Sequence, residues 1–259
     1  MKNLIDDYAL MSPLRYSNNW LKLAIVAFGL LFGVSSTSPI IIFIIAICMS
    51  FATVYLGKIP IRFYTGLMFA PLVFAVMGSI VILFFFGSGN EVFRISILGS
   101  NLSVNSEGFN MAEVVISRTI SGMSCLFFLA LSTPMVELFS VIKTSRIPDP
   151  LIELSMLMYR YIFVFLDVAM NIKYAQTVRL GYKDFLSSIR SMSMLLSTLF
   201  IRSWEQGEKT YLSMNSRCYD GKLTLSTTNR PVKISEVILT SSYFVFIIAT
   251  SYVINYVSI

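Results

Sequence analysis

The residues with the clearest chemical meaning are two arginines in matching surroundings. One lies in Tyr174-Ala175-Gln176-Thr177-Val178-Arg179-Leu180-Gly181-Tyr182, the other in Tyr211-Leu212-Ser213-Met214-Asn215-Ser216-Arg217-Cys218-Tyr219-Asp220-Gly221. Each is followed by a tyrosine and a glycine. A lone arginine near a helix end is accounted for by the helix dipole and the last free carbonyls. Two of them in a repeated pattern point to docking, because the guanidinium fork binds carboxylates and backbone carbonyls of a partner. Other chemistries lack their residues. The chain has no histidine, so the commonest metal ligand and general base are absent. Cys48, Cys125 and Cys218 are far apart and odd in number, which suits neither a disulfide framework nor a metal site. No phosphate-binding Walker motif occurs, so the chain is not expected to hydrolyse nucleotide. No cofactor and no metal site are expected.

The elements that position these arginines follow from hydropathy. Over 259 residues the mean hydropathy is +0.74 and 13% of residues are charged, against roughly 25% in soluble domains. So little polar surface makes lipid the solvent for much of the molecule. Apolar runs at bilayer scale cover Trp20 to Val34, Ile40 to Leu56, Phe63 to Phe86, about Met111 to Leu131 and about Ile234 to Val257. The first is short. Ser35-Ser36-Thr37-Ser38-Pro39, Gly57-Lys58 and Gly87-Ser88-Gly89-Asn90 separate the early runs, and the alternation Val92-Phe93-Arg94-Ile95-Ser96-Ile97 reads as a short strand or hairpin arm. The expected fold is an all-α integral membrane protein with about five spans and a module of long helices. Its parts are 1–131 (four spans), 132–233 (the helical module) and 234–259 (the last span). Met1 to Asn19 has no apolar core of the signal-peptide kind.

Charge placement orients the chain. The 132–233 module holds 13 of the 20 Lys and Arg residues. With the N-terminus inside, Lys2, Arg15, Lys22, Lys58, Arg62 and this module all lie in the cytoplasm, as the positive-inside rule requires. Residues 35–39 and 87–110 then lie outside, with Arg94 their only basic residue. Within the module, Thr133 is the N-cap candidate and Pro134 the first residue of a helix reaching about Thr144. A second helix follows Pro148-Asp149-Pro150 and runs to Leu180, where Gly181 is placed to stop it. A third runs from about Met192 to Ser216. Its Leu195, Leu196, Leu199, Phe200, Trp204, Tyr211 and Met214 recur at helical spacing opposite Arg202, Glu205, Glu208 and Lys209. That stripe fits a membrane surface, a partner, or plain packing within the chain.

The stretches Leu131-Ser132-Thr133-Pro134, Arg146-Ile147-Pro148 and Met158-Tyr159-Arg160-Tyr161-Ile162-Phe163 carry a family resemblance. It continues through Ala175–Gly181 and from Arg202-Ser203 to Gly221. The chain resembles the transmembrane T component of energy-coupling factor transporters, most closely the CbiQ type of cobalt or nickel uptake. The resemblance implies a non-catalytic subunit of an ATP-driven importer in a prokaryotic plasma membrane. Two cytoplasmic ABC ATPases would drive it. A CbiM-like substrate-binding membrane S component, with a small CbiN-like subunit as a possible companion, would hold the ion. Membrane lipid is the other expected partner, and nucleic acid is not one. The family's two Ala-Arg-Gly signatures fall on Val178-Arg179-Leu180 and Ser216-Arg217-Cys218. The arginines match and the flanking residues do not. Each family arginine enters a groove on an ATPase, so Arg179 and Arg217 are the expected coupling residues. Methionines of the module, such as Met156, Met158, Met170 and Met192, suit helices that slide, because methionine repacks readily.

Three further charges need an account. Glu113 and Arg118 lie within the fourth run, where ionisable residues are functional by default; a mutual pair or a reach to the interface is expected. Asp167 is expected to pair with Arg160 or Lys173. Rival classes are a membrane enzyme, which needs convergent ionisable residues, and a self-contained permease or channel, which needs polar residues along several spans. The runs supply neither.

Overall fold

The computed structural model describes residues 4–85, 91–97, 100–143, 147–220 and 232–257. Arg146, Gly221 and Gly87-Ser88-Gly89-Asn90, all singled out above, lie outside these residues. The chain forms two compact units, Met1–Leu138 with Thr228–Ile259, and Phe139–Thr227.

The first unit is a helical bundle with one hairpin. It contains α1 (Leu4–Met11), a 3-10 turn (Pro13–Tyr16), α2 (Asn19–Ser35), α3 (Pro39–Phe51) and a π turn (Ala52–Leu56). Then come α4 (Ile61–Phe85), strands β1 (Glu91–Ile97) and β2 (Ser100–Asn105), and α5 (Ser106–Ser132). The 92–97 alternation is therefore one arm of an antiparallel hairpin, Ile97 opposite Ser100 and Arg94 opposite Ser103. α6 (Met135–Lys143) follows, in this unit only as far as Leu138, and α9 (Ile234–Val257) is its last helix. Four segments are long and apolar enough to cross a bilayer: Pro39–Leu56, Ile61–Phe84, Ser106–Ser132 and Ile234–Ile254. The first expected span forms α2, apolar but only 17 residues long.

α5 is the hub, packed by α1, α2, α3 and α4. Its helical face supplies Ser117, Ser121, Ser124, Cys125, Phe128 and Leu131 to the interior. Small residues let helices approach closely where lipid gives no hydrophobic drive for association. α2 answers with Gly29 and Gly33: a Cβ on Gly29 would lie 3.1 Å from Cys125 Sγ, and one on Gly33 would lie 3.3 Å from Ser121 Oγ. Val26, Ile41, Ile45, Met49, Cys125, Phe128 and Ile247 fill the space between α2, α3, α5 and α9.

A polar seam closes one end of this bundle. Glu137 accepts from Arg15 Nε (3.1 Å) and from Asn19 Nδ2 (3.1 Å). Lys22, 2% exposed, donates to Asn19 Oδ1 and to the Ser132 carbonyl at the end of α5. Glu236 accepts the Asn18 backbone N–H at 3.0 Å, which brings the start of α9 to the same end. The start of α2, the end of α5 and the start of α9 thus share one end, the end rich in basic residues. Lys22 is therefore a buried hydrogen-bond donor. α6 begins one residue late: the Pro134 carbonyl accepts from Glu137 and Leu138, so Pro134 occupies the cap position expected for Thr133. Proline has no N–H to lose there, which makes the position inexpensive.

The second unit is a helix pair, α7 (Asp149–Val178) and α8 (Phe185–Asn215). α8 begins at Phe185, seven residues before the start expected at about Met192. The stripe divides as well: Leu195 is buried, while Phe200, Trp204 and Tyr211 stay exposed and Trp204 Nε1 donates to Glu208 Oε1 at 2.9 Å. Asp167 forms no ion pair with Arg160 or Lys173 among the described residues.

Candidate functional site

The two arginines end α7 and α8 with one backbone geometry. After α7, Leu180 N–H donates to the Thr177 carbonyl (3.0 Å) and Gly181 N–H to the Gln176 carbonyl (2.8 Å). After α8, Cys218 N–H donates to Asn215 (3.1 Å) and Tyr219 N–H to Met214 (3.1 Å). The spacings, three and five residues back, are the same in both. Leu180 has φ 59° and Cys218 φ 58°, so the residue after each arginine is left-handed. This is the Schellman way of ending a helix, and its left-handed position ordinarily takes glycine. The repeat in the sequence is therefore a repeat in three dimensions.

Gly181 does not take the left-handed position; Leu180 does. Gly181 is needed for close approach, because a Cβ there would sit 2.6 Å from Ser191 Oγ and 2.9 Å from the Gln176 carbonyl. Both contacts lie below any ordinary separation of such atoms.

Each turn is braced by side chains that the sequence did not single out for a role. Around Arg179, Gln176 Nε2 donates to the Ser191 carbonyl (2.9 Å), and Tyr182 Oη donates to Gln176 Oε1 (2.8 Å). Ser191 Oγ donates to the Gly181 carbonyl at 2.7 Å. Around Arg217, Tyr219 Oη donates to Glu153 Oε2 at 2.9 Å, and Glu153 is only 3% exposed. The Glu153 carboxylate favours the neutral phenol, so the Tyr219 pKa is raised. The tyrosine after each arginine was the available signal: in both turns its hydroxyl makes the brace.

These bonds also set the direction of the pair. Gln176 meets Ser191, Tyr161 meets Thr210 and Glu153 meets Tyr219, so α7 and α8 run antiparallel. The structure does not bring Arg179 and Arg217 together. They stand at opposite ends of the pair, separated by the 31 residues of α8, about 45 Å of helix at about 1.5 Å per residue. Both are exposed, as are Val178, Leu180, Ser216 and Cys218. Leu180 at 69% and Val178 at 84% exposure bury almost nothing within the chain. A groove of about 720 Å³ runs between the two helices, lined by Leu154, Met158, Ile162, Phe165, Leu199 and Met214 among others. No three His, Cys, Asp or Glu side chains converge as a metal-holding group among the described residues.

Four helices long and apolar enough to cross a bilayer define a multi-pass helical membrane protein. Residues 11–228 match the family model described as CbiQ, cobalt transport protein. The chain belongs to that family, the transmembrane T components of energy-coupling factor transporters. It is 43% identical over 86% of its length to a putative fused cobalt transport protein CbiMQ of Methanocorpusculum labreanum, covering 38% of that longer protein. It is 26% identical to the cobalt transport protein CbiQ of Salmonella typhimurium, over 84% of this chain and 95% of the relative. It is also 27% identical to the energy-coupling factor transporter transmembrane protein EcfT of Limosilactobacillus fermentum, over 69% of each.

Proposed function

We propose that this chain couples two cytoplasmic ATPases to a separate ion-binding membrane subunit of a cobalt importer, with Arg179 and Arg217 as the two anchors. The observation that carries this reading is the duplicated helix end: two exposed arginines, each before a left-handed residue, at opposite ends of one helix pair. An ATPase pair that closes on ATP offers two grooves that move relative to each other. Two anchors far apart on one rigid pair convert that closure into a tilt or slide of α7 and α8. The flanks Val178, Leu180, Ser216 and Cys218 complete the two contact surfaces. The module that carries them, residues 132–233, lies in the cytoplasm together with the N-terminus, and 234–259 returns through the membrane as the last span. The seam joining Arg15, Asn19, Glu137 and Glu236 supports this arrangement, since it puts the module's exit and return at the same basic end of the bundle.

The ion is held by a CbiM-like S component, with or without a small CbiN-like subunit. The fused CbiMQ relative supports the first of these, because fusion joins chains that work together. Cobalt is preferred over nickel on the names of the relatives.

The test is retention of the ATPases and uptake in cells. A buried, hydrogen-bonded charged anchor costs about 2–5 kcal/mol when truncated, whereas a rim charge costs under about 1 kcal/mol. Arg179→Ala and Arg217→Ala should each weaken assembly or uncouple uptake, and the double variant should lose the ATPases. Arg→Lys should fail substantially, since a point charge does not reproduce the fork. Arg202→Ala, on the same helix pair but outside both turns, should behave as the parent. A double alanine variant that keeps its ATPases and transports normally refutes the assignment.

A further inference from the structure

α6 is a continuous helix that begins in the first compact unit and ends in the second. Its first turn carries Glu137. Further on, Phe139 packs edge-on against Tyr159 of α7, with ring centroids 6.0 Å apart. A movement of α7 therefore pushes on α6. What α6 passes on depends on its root. Thr133 and Pro134 belong to neither α5 nor α6, and proline has no N–H with which to bond back into α5. The backbone alone leaves this corner free to bend, and a bending corner would absorb the motion of the helix pair.

Side chains near the N-terminus grip the corner on both of its sides. On the α5 side, the buried Lys22 donates to the Ser132 carbonyl at 3.3 Å. On the α6 side, Glu137 accepts from Arg15 Nε and from Asn19 Nδ2, each at 3.1 Å. Asn19 joins the two sides, because its Oδ1 accepts from Lys22 Nζ at 3.0 Å while its Nδ2 serves Glu137. The gripping residues are themselves fixed. Arg15 sits in the 3-10 turn that Ser12 caps, and Asn18 caps α2 by accepting the Trp20 N–H at 2.9 Å. The same segment holds the return of the chain, where the Asn18 N–H meets Glu236 at 3.0 Å. Arg15 is 37% exposed, and an ion pair so placed adds little to stability. Its effect is on geometry: bonds from two different elements fix the direction of one carboxylate, and with it the first turn of α6.

We propose that Glu137 is a positioning residue for transport: with Arg15, Asn19 and Lys22 it locks the α5–α6 corner, so that motion of the helix pair passes through α6 into α2 and α5 and is not lost by bending at 133–134. α5 is packed by α1, α2, α3 and α4, so a displacement delivered at its end reaches all of them. The inference rests on the coupling role given above, and the two fail separately: ATPase retention reads the anchors, and ions carried per ATP read the lock.

The assembled transporter in vesicles tests it, with radiolabelled cobalt or nickel ions, whichever the parent imports, and with phosphate release as the measure of hydrolysis. Glu137→Gln should keep its ATPases and its rate of hydrolysis, while ions carried per ATP fall by up to about ten-fold, the effect of one charge-assisted hydrogen bond on opening of the corner. A purely structural role would lower retention and hydrolysis together and leave the ratio alone. Arg15→Gln removes only the ion pair, from a partly exposed residue; it should act in the same direction, and it decides the matter if Glu137→Gln fails to fold. In an otherwise cysteine-free chain, Arg15→Cys with Glu137→Cys should also carry few ions per ATP, and bridging the two thiols with a short bis-maleimide should restore the ratio. A ratio equal to that of the parent in both glutamine variants overturns the proposal. So does loss of the ATPases from folded Glu137→Gln, which would make the residue part of the anchoring. A thiol bridge that stops uptake overturns it as well, because the corner would then have to bend.

Discussion

Gly181→Ala tests whether the Arg179 turn is a built structure or a passive helix end. A Cβ at this position would lie 2.6 Å from Ser191 Oγ and 2.9 Å from the Gln176 carbonyl oxygen. The serine can rotate away, at the expense of its 2.7 Å bond to the Gly181 carbonyl, worth about 0.5–1.5 kcal/mol. The carbonyl is backbone and belongs to the 2.8 Å bond that closes the turn, so that bond must lengthen as well. Together these cost about 1–2 kcal/mol of local stability, which accelerates hydrogen exchange across residues 176–191 roughly 5–30-fold. Leu180→Gly should act in the opposite direction. Leucine at φ 59° is disfavoured by roughly 1–2 kcal/mol, and its side chain, 69% exposed, gives up little packing when removed. Adjacent substitutions of opposite sign are hard to obtain from a frayed end. In the Gly181→Ala, Ser191→Ala double variant the serine bond is already absent, so the two effects should add to less than their sum. The assay is hydrogen exchange read by mass spectrometry on the full chain, alongside ATPase pull-down. Exchange in Gly181→Ala equal to or slower than in the parent refutes the reasoning.

Three further outcomes are expected. Tyr219→Phe leaves the buried Glu153 carboxylate without this donor, so ATPase retention through Arg217 should fall, though less than in Arg217→Ala; pull-down at neutral pH reads it, and a loss as large as that of Arg217→Ala contradicts a bracing role. Because the Tyr219 pKa is raised, the bond is fully present below the ordinary phenol pKa of about 10 and is lost only as pH rises through the raised value; retention in the parent should be flat from neutral pH to about 9, and a fall in that window that is absent from Tyr219→Phe argues against this bond. A cysteine introduced at Ser188 in a cysteine-free chain should react only from the cytoplasmic side, and labelling solely from outside would invert the topology. Equilibrium dialysis of the purified chain with cobalt and nickel ions should show no tight one-to-one site, in keeping with an ion held by another subunit.

Membership of the membrane class, the approximate limits of the apolar runs and the repeated arginine ends were legible in the sequence. Hydropathy is a property of composition over a window, and a helix end is a property of neighbours a few residues apart. The strand arm at 92–97 was legible for the same local reason. What depends on distant segments meeting was not. Gly181 read as the left-handed stop, and only the approach of Ser191 shows that it must be glycine for space while Leu180 carries the positive φ. Glu113 and Arg118 read as neighbours, but helical twist turns them apart, and the end of α2 supplies the carbonyl that Arg118 takes. Lys22 read only as a charge on the cytoplasmic side, and it is the packed end of α5 that buries it. Phe200 and Trp204 shared a stripe with Leu195, yet α7 covers only part of that stripe. The antiparallel course of α7 and α8, which sets Arg179 and Arg217 at opposite ends, follows from three side-chain bonds between residues 15 to 66 positions apart. No local pattern encodes a contact whose two partners become neighbours only when the helices pack.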